Sequence, residues 1–233
     1  MALPIIVAPE HITKLPSNDM EIKYRPFLVK EEKLLLFASE GEDRVDMINA
    51  VCQMMKNCII SPEVDPNTLA YFDFEHLFLH IRAKSVGETA EFMLKHDKED
   101  CEHMNKVEIK LDSIVNKTDD NHNNKIQLNE NVGVKMKYPT IETVKGLEAI
   151  NAENILSVFS DSIDFVYDAD TVYDDFSKED ADTFLESLTK DQFDKVTDFF
   201  NTMPVSRLEV KYKCEKCGDE VETLVSGFEN FFI

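Results

Sequence analysis

The chain has 233 residues, of which 43% are hydrophobic and 30% charged, a composition typical of a globular protein that can bury a core. Forty-six Asp and Glu against twenty-five Lys and Arg give a net charge of −21, which argues against nucleic acid and anionic membranes as partners. No apolar run approaches the roughly 20 residues that span a bilayer, and the first residues lack the basic region of a signal peptide. We therefore expect a reducing, cytosolic location without membrane insertion, where thiols are free or metal-bound.

The N-terminal part of the chain is predicted to be an extended arm followed by a mainly helical block. Residues 1–20 form the arm, because prolines at positions 4, 9 and 16 prevent a helix there. In the block, residues 21–84, apolar residues recur with the spacing of amphipathic helices. The stretches with this spacing are residues 28–39, 43–59 and 68–83.

The middle of the chain, residues 85–139, is predicted to be a β hairpin region. Side-chain character alternates with period two over residues 106–112, and residues 89–95 are the candidate partner strand. After a polar loop, residues 125–128 and 132–137 predict a second hairpin.

The following segment, residues 140–205, is predicted to be helical and strongly acidic. Between residues 151 and 200, fourteen Asp and Glu stand against three Lys. Capping boxes that begin at Ser177 and Thr189 predict the starts of two short helices. The aromatic residues of these helices that we expect to bind a partner are Phe193, Phe199 and Phe200.

The last segment, residues 206–233, combines a cysteine-containing hairpin with an aromatic tail, and we expect it to pack with residues 85–139. Burial of a large apolar side chain contributes roughly 1.5–3 kcal/mol, so the tail is costly to leave in water. It is expected either to fold back on its own core or to bind a neighbour. The tail residues predicted to bind a partner are Phe228, Phe231 and Phe232.

Cys214 and Cys217 form a knuckle, followed by a glycine, that can direct two thiolates at one ion. Four ligands close a structural zinc site, so this pair predicts half of a zinc ribbon. The alternative is a plain hairpin turn with two reduced surface thiols. A thioredoxin-like redox pair is disfavoured, because such cysteines open a helix whose N-terminus lowers the thiol pKa, and strands flank these two.

The other two zinc ligands are expected in the loop between the predicted strands of the middle region. That loop contains Cys101 and two histidines, His96 and His103, which are residue types that zinc prefers. We therefore predict one structural zinc ion and no other cofactor. The predicted ligands are Cys214, Cys217, Cys101 and His96, with His103 as the rival ligand.

No catalytic motif is present in the sequence. It contains no nucleophile elbow, no phosphate-binding glycine loop and no paired metalloprotease histidines. We expect neither an enzyme nor a small-molecule substrate. The patterns together predict an α+β fold with an N-terminal helical block, small antiparallel β hairpins, a zinc-ribbon-like knuckle and acidic C-terminal helices.

Several segments resemble the baseplate hub proteins of T-even-like contractile-tailed bacteriophages, a group of hub subunits and hub-assembly proteins. The resemblance is carried by residues 25–33, by residues 82–88, by residues 136–140 and by the closing knuckle with its Phe-rich tail. It implies a non-enzymatic tail morphogenesis protein, either a hub component or a hub-assembly chaperone, whose partners are other hub proteins. It further implies a location in the host cytoplasm during assembly and in the baseplate of the virion.

One feature departs from the family pattern, which includes a second cysteine pair in the middle segment. This chain offers only Cys101 with His96 and His103 there. A second function stands as the alternative to the first: a zinc-ribbon-containing adaptor that binds a basic protein partner, which the net charge of −21 would favour.

Overall fold

The computed structural model describes residues 4, 6–41, 43–98, 101–111, 114–145 and 154–225. Two compact units make up the chain, and each is assembled from stretches that are separated in sequence. Unit 1 comprises Met1–Pro66, Phe72–Lys117 and Val205–Ile233, and unit 2 comprises Asn67–Tyr71 and Thr118–Pro204. The units are discontinuous, whereas the sequence analysis divides the chain into consecutive segments.

The structure mixes helices with short antiparallel sheets, which confirms the predicted α+β class. The strands are β1 (His11–Lys14), β2 (Glu21–Tyr24), β3 (Ile59–Ser61), β4 (Thr89–Lys95), β5 (Met104–Lys110), β6 (Ile114–Lys117), β7 (Lys125–Gln127), β8 (Gly133–Met136), β9 (Ile163–Tyr167), β10 (Val172–Tyr173), β11 (Val205–Lys213) and β12 (Glu220–Val225). The helices are α1 (Val29–Ser39), α2 (Arg44–Cys58), α3 (Tyr71–Ser85), α4 (Ile141–Val144), α5 (Ile155–Asp161), α6 (Lys178–Glu186) and α7 (Lys190–Thr202), with a 3-10 turn at Pro66–Thr68. Within the described residues, no helix combines the length and apolar character needed to cross a bilayer.

In unit 1, an antiparallel sheet of order β1-β2-β3 lies at the start of the chain. The predicted arm contains β1, which pairs with β2 along its whole length. Helix α3 is buried around most of its circumference, and its buried residues include ionisable side chains such as Asp73 and Glu75. Phe74 and Leu77 of this helix are both 0% exposed.

Arg25, which directly follows β2, links the start of α1 to the end of α2. Its guanidinium donates to Glu31 Oε1 at 3.1 Å and to the carbonyl oxygen of Asn57 at 2.9 Å. Glu31 is 1% exposed and also accepts from the backbone N–H of Leu28 at the start of α1. Burial raises the pKa of Glu31, but the hydrogen bonds from Arg25 and Leu28 outweigh it and hold that pKa below its usual value. The buried carboxylate is therefore charged and paired.

Two further sheets of unit 1 carry the hairpins predicted from the sequence. β4 and β5 form a two-stranded sheet that pairs with no other described strand, in register from Thr89↔Lys110 to Lys95↔Met104. β11 pairs on one side with β12 and on the other with β6. A loop closes each hairpin, residues 96–103 in the first and residues 214–219 in the second, and these two loops hold the predicted metal ligands.

Unit 2 is built on an antiparallel sheet of order β10-β9-β8-β7, against which α5, α6 and α7 pack. Its core consists of buried side chains from both the sheet and the helices, because each layer buries its apolar face against the other. The members with the least exposure are Val134 and Met136 of β8, Val158 of α5, Val196 and Phe199 of α7, Leu185 of α6 and Ile163 of β9.

Strands β9 and β10 are not predicted by the sequence analysis, which assigns their segment to the acidic helical region. The acidic residues around them obscure a strand-like run of β-branched and aromatic side chains at Ile163–Tyr167. Pairing with β8 stabilises that run, and the ring of Tyr167 covers Gly133 on β8. A Cβ at Gly133 would clash with the outer end of the Tyr167 side chain, so a larger residue there requires Tyr167 to move.

Both predicted capping boxes are confirmed. Ser177 accepts from the backbone N–H of Asp180, and Thr189 from that of Gln192. The side chain of the third helical residue accepts a hydrogen bond in return from the backbone N–H of the cap. Asp180 Oδ2 accepts from the Ser177 N–H at 3.0 Å, and Gln192 Oε1 accepts from the Thr189 N–H at 2.9 Å. The caps fix where α6 and α7 begin, and thereby which side chains face the sheet.

Replacing Thr189 by Ala should destabilise unit 2 by about 1 kcal/mol, because the first turn of α7 loses its acceptor. Thr183→Ala is the matched control, since the exposed Thr183 hydroxyl bonds only to the Glu179 carbonyl within α6. This control substitution should leave the melting temperature unchanged or raise it slightly. Thermal unfolding followed by circular dichroism measures both, and equal melting temperatures for the two variants would contradict the role of the cap.

Candidate metal centre

Four potential metal ligands from two distant hairpins lie together in unit 1. His96 and Cys101 come from the loop after β4, and Cys214 and Cys217 from the loop after β11. Their ligand atoms all lie within 4.8 Å of one another. Three thiolates and one imidazole are the ligand types of a structural zinc site, so the donor set fits one such ion.

The distances inside the cluster suit a single tetrahedral ion. Cys101 Sγ lies 3.6 Å from Cys214 Sγ, and Cys217 Sγ lies 3.4 Å from His96 Nδ1. Around tetrahedral zinc with Zn–S bonds of about 2.3 Å, two sulfur ligands stand about 3.8 Å apart. The three cysteines are free thiols rather than disulfide partners, so all of them can act as ligands.

The knuckle is a tight turn that the sequence encodes locally. The Cys214 N–H donates to the carbonyl oxygen of Asp219 at 2.8 Å, and the Gly218 N–H donates to that of Cys214 at 2.9 Å. Gly218 has φ of +79°, a left-handed conformation that residues with a Cβ adopt only at a cost. The glycine after the second cysteine therefore allows the chain to return along β12 while both thiols face one point.

Backbone N–H groups favour the thiolate form of the first knuckle cysteine. Burial raises the pKa of Cys214, but the N–H groups of Cys217 and Lys216 outweigh it and lower that pKa from 9.0 to about 5. The pKa of Cys217 moves the other way: the Asp219 N–H lowers it, while burial and the neighbouring thiols raise it more. A thiolate already present at Cys214 has no proton to release when a cation binds, whereas Cys217 must lose its proton.

Asn105 of β5 joins the two hairpins beneath the ligands, and the sequence analysis does not identify it. It is 1% exposed, its Oδ1 accepts from the Glu215 N–H at 2.8 Å, and its Nδ2 donates to the His103 carbonyl at 3.1 Å. Asn105 lies on the same, inward face of β5 as Ile109. A polar residue at an inward position of an alternating strand is the signal that could have revealed it.

Two lysines add links between the same loops. Lys98 Nζ lies 2.6 Å from Asp219 Oδ2, and Lys216 Nζ donates to the Cys101 carbonyl oxygen at 2.9 Å. The Lys98–Asp219 pair is about half exposed on both sides, so it contributes little to stability by itself. Its effect is to hold the loop of the ligand Cys101 against the knuckle.

His103, the rival ligand of the sequence analysis, lies outside the cluster. Its Nε2 is 3.8 Å from Glu215 Oε2, and its carbonyl oxygen accepts from the His96 N–H at 2.8 Å. The two histidines are thus neighbours across the hairpin, but only His96 contributes to the group of four.

The predicted partner-binding aromatic residues of the acidic helices lie in or against the core of unit 2. Phe199 is 2% exposed, whereas Phe193 and Phe200 are partly buried and both stack on Phe159. Phe199 therefore offers almost no surface to a partner in this conformation. The tail residues with the same predicted role, Phe228, Phe231 and Phe232, lie outside the described residues.

The comparison with known proteins identifies the family. The family model of the T4 bacteriophage base plate protein matches residues 8–233. The chain belongs to this family. No curated protein and no solved structure matches at a significant level. The resemblance to T-even-like baseplate proteins is thereby confirmed, and membership of this family supports a structural role in the phage tail baseplate.

The purified protein should contain one zinc ion per chain, held by the four clustered ligands. Cys214→Ser should abolish zinc binding and lower the melting temperature, because one of four ligands is lost. His103→Gln is the matched control and should retain the full zinc content. Elemental analysis of protein purified without chelator measures both, and zinc lost from the His103 variant but kept in a His96→Gln variant would contradict the assignment.

Asn105→Ala should weaken zinc binding by about 10- to 100-fold while leaving all four ligands in place, since it removes the buried hydrogen bonds that position both ligand loops. Asn121→Ala, at an exposed position in unit 2, should have no effect. Competition against a zinc-chelating dye gives the two affinities. An unchanged zinc affinity for the Asn105 variant would contradict the role of Asn105, because the four ligands would then reach their binding geometry without its hydrogen bonds.

Proposed function

We propose that the protein acts in the assembly of the baseplate hub, as a hub component or as a chaperone of the hub, entirely through protein–protein contacts. The observation that carries the proposal is the match of the baseplate family model over residues 8–233. The hub assignment within that family is supported by the segments at residues 25–33 and 82–88, which resemble hub proteins. Other hub proteins are the proposed partners.

The composition of the candidate metal centre supports a non-enzymatic role. Catalytic zinc sites keep one position for water or substrate, whereas structural sites fill all four positions with protein side chains. Here His96 and the three cysteines supply four ligands, and three of these residues are buried. A metal ion in this set would stabilise the fold and would have no position left for a substrate.

The surface charge supports assembly with a partner rather than with further copies of the chain. At a net charge of −21, copies of the protein repel one another and stay soluble before they meet a partner. The aromatic tail with Phe231 and Phe232 remains a predicted contact with hub proteins, because burial of its apolar side chains by a neighbour is favourable.

A phage in which the gene carries an amber mutation should produce baseplates without a hub when it infects a non-suppressing host. Supplying the wild-type protein from a plasmid should restore infectious particles, and Phe231→Asp with Phe232→Asp should reduce the restoration. Electron microscopy of the particles gives the readout. Mass spectrometry of purified virions distinguishes a component, which is present in them, from a chaperone, which is absent.

Normal tails made without the protein would contradict the proposal. The adaptor function would replace it if the tagged protein captured a basic host protein and no baseplate protein from infected cells.

A further inference from the structure

Unit 2 contains an apolar cavity that the core does not fill. It has a volume of about 320 Å³ and opens between the end of the sheet and helix α6. We call it the β10 groove. Its lining is apolar apart from one carboxylate, and consists of Ile163, Val166, Tyr173, Phe176, Asp180, Ala181 and Phe184. A space of this size takes a large aliphatic or aromatic side chain.

The β10 groove adjoins an exposed strand edge. β10 is the first strand of its sheet and pairs only with β9 among the described strands. Val172 is 56% exposed and Tyr173 48% exposed, so apolar surface continues from the groove onto this strand. An unpaired edge with apolar side chains is where an extended peptide can add to a sheet.

Three acidic residues that form no ion pair among the described residues are next in sequence to residues that line the groove. Asp174 and Asp175 follow β10 directly, and Glu179 lies in the first turn of α6; all three are exposed. No lysine or arginine of the described residues forms an ion pair with these three carboxylates. The surrounding segment, residues 151–200, has fourteen acids and three lysines. A partner segment that covered the groove with neutral or acidic residues would leave these charges uncompensated, whereas a basic segment would pair with them.

We propose that the β10 groove binds an extended, basic segment of another baseplate protein, which inserts one large apolar side chain between β9 and α6. The inference rests on the proposed function for the identity of the partner. A second copy of the chain is the less suitable occupant, because two surfaces of the same strong negative charge repel each other. The cavity provides the anchor site, the strand edge provides backbone hydrogen bonds, and the carboxylates select lysine or arginine beside the anchor.

The test uses tagged full-length protein, incubated with extract of phage-infected cells and analysed by quantitative mass spectrometry of the captured baseplate proteins. Asp174→Asn with Asp175→Asn, and separately Tyr173→Ser, should each reduce capture of one baseplate protein by about tenfold, since two charge pairs or one anchor contact are lost. Glu186→Gln with Asp198→Asn is the matched charge control, and Leu224→Ser is the control for an exposed apolar residue. Both controls should capture as much as the wild type.

Overlapping synthetic peptides of the captured protein then locate the bound segment. Fluorescence anisotropy should find a binding peptide that contains Lys or Arg around one aromatic or aliphatic residue, and exchange of that residue for Ser should abolish binding. Equal losses in the groove and control charge variants would overturn the inference, because they would indicate non-specific attraction. Full capture by both groove variants would also overturn it while leaving the proposed function intact.

Two remaining outcomes are equally decisive. If the wild-type protein captures no baseplate protein, the proposed function fails and the inference fails with it. If light scattering shows a dimer that the Tyr173 variant breaks, the occupant is a second copy of the chain and the inference is wrong.

Discussion

The fold of unit 1 depends on holding together two hairpin loops that are far apart in sequence. Cys101 and Cys214, whose sulfurs are 3.6 Å apart, are separated by 113 positions. The β4–β5 hairpin pairs with no other strand of the described chain, and a two-stranded sheet is at best marginally stable alone. A metal ion held by ligands from both loops would add to the direct contacts between them, because it would offset the entropy of closing so long a connection.

The polar contacts around the four ligands also hold the two hairpin loops together. Asn105 satisfies the Glu215 N–H, and Lys98 pairs with Asp219. The first of these is buried and costly to break, and the second is exposed and weak. Together they orient the two loops so that the ligands meet, which is the usual role of residues behind a metal site.

The sequence predicts the elements that depend on local chemistry and fails where distant pairing decides the outcome. The caps at Ser177 and Thr189 follow from hydrogen bonds within a single turn, and both were predictable. Strand β9 was not, because Ile163–Tyr167 lies in an acidic region and its strand conformation depends on pairing with β8, some thirty positions away. The choice between His96 and His103 likewise depended on where the knuckle lies across the hairpin, which spacing along the chain does not encode.

The aromatic residues of the acidic helices contribute to the core of unit 2. Phe159 and Phe200 stack with ring centroids 4.0 Å apart, and Phe199 stacks on Tyr138 inside the same core. A unit of this size without tryptophan needs such rings to fill the space between its sheet and helices. Helices that are acidic outside and aromatic inside are amphipathic elements of an ordinary core. Among the described residues of unit 2, the large apolar side chains that remain about half exposed are Val172 and Tyr173 of β10, and it is at this edge that we propose a partner binds.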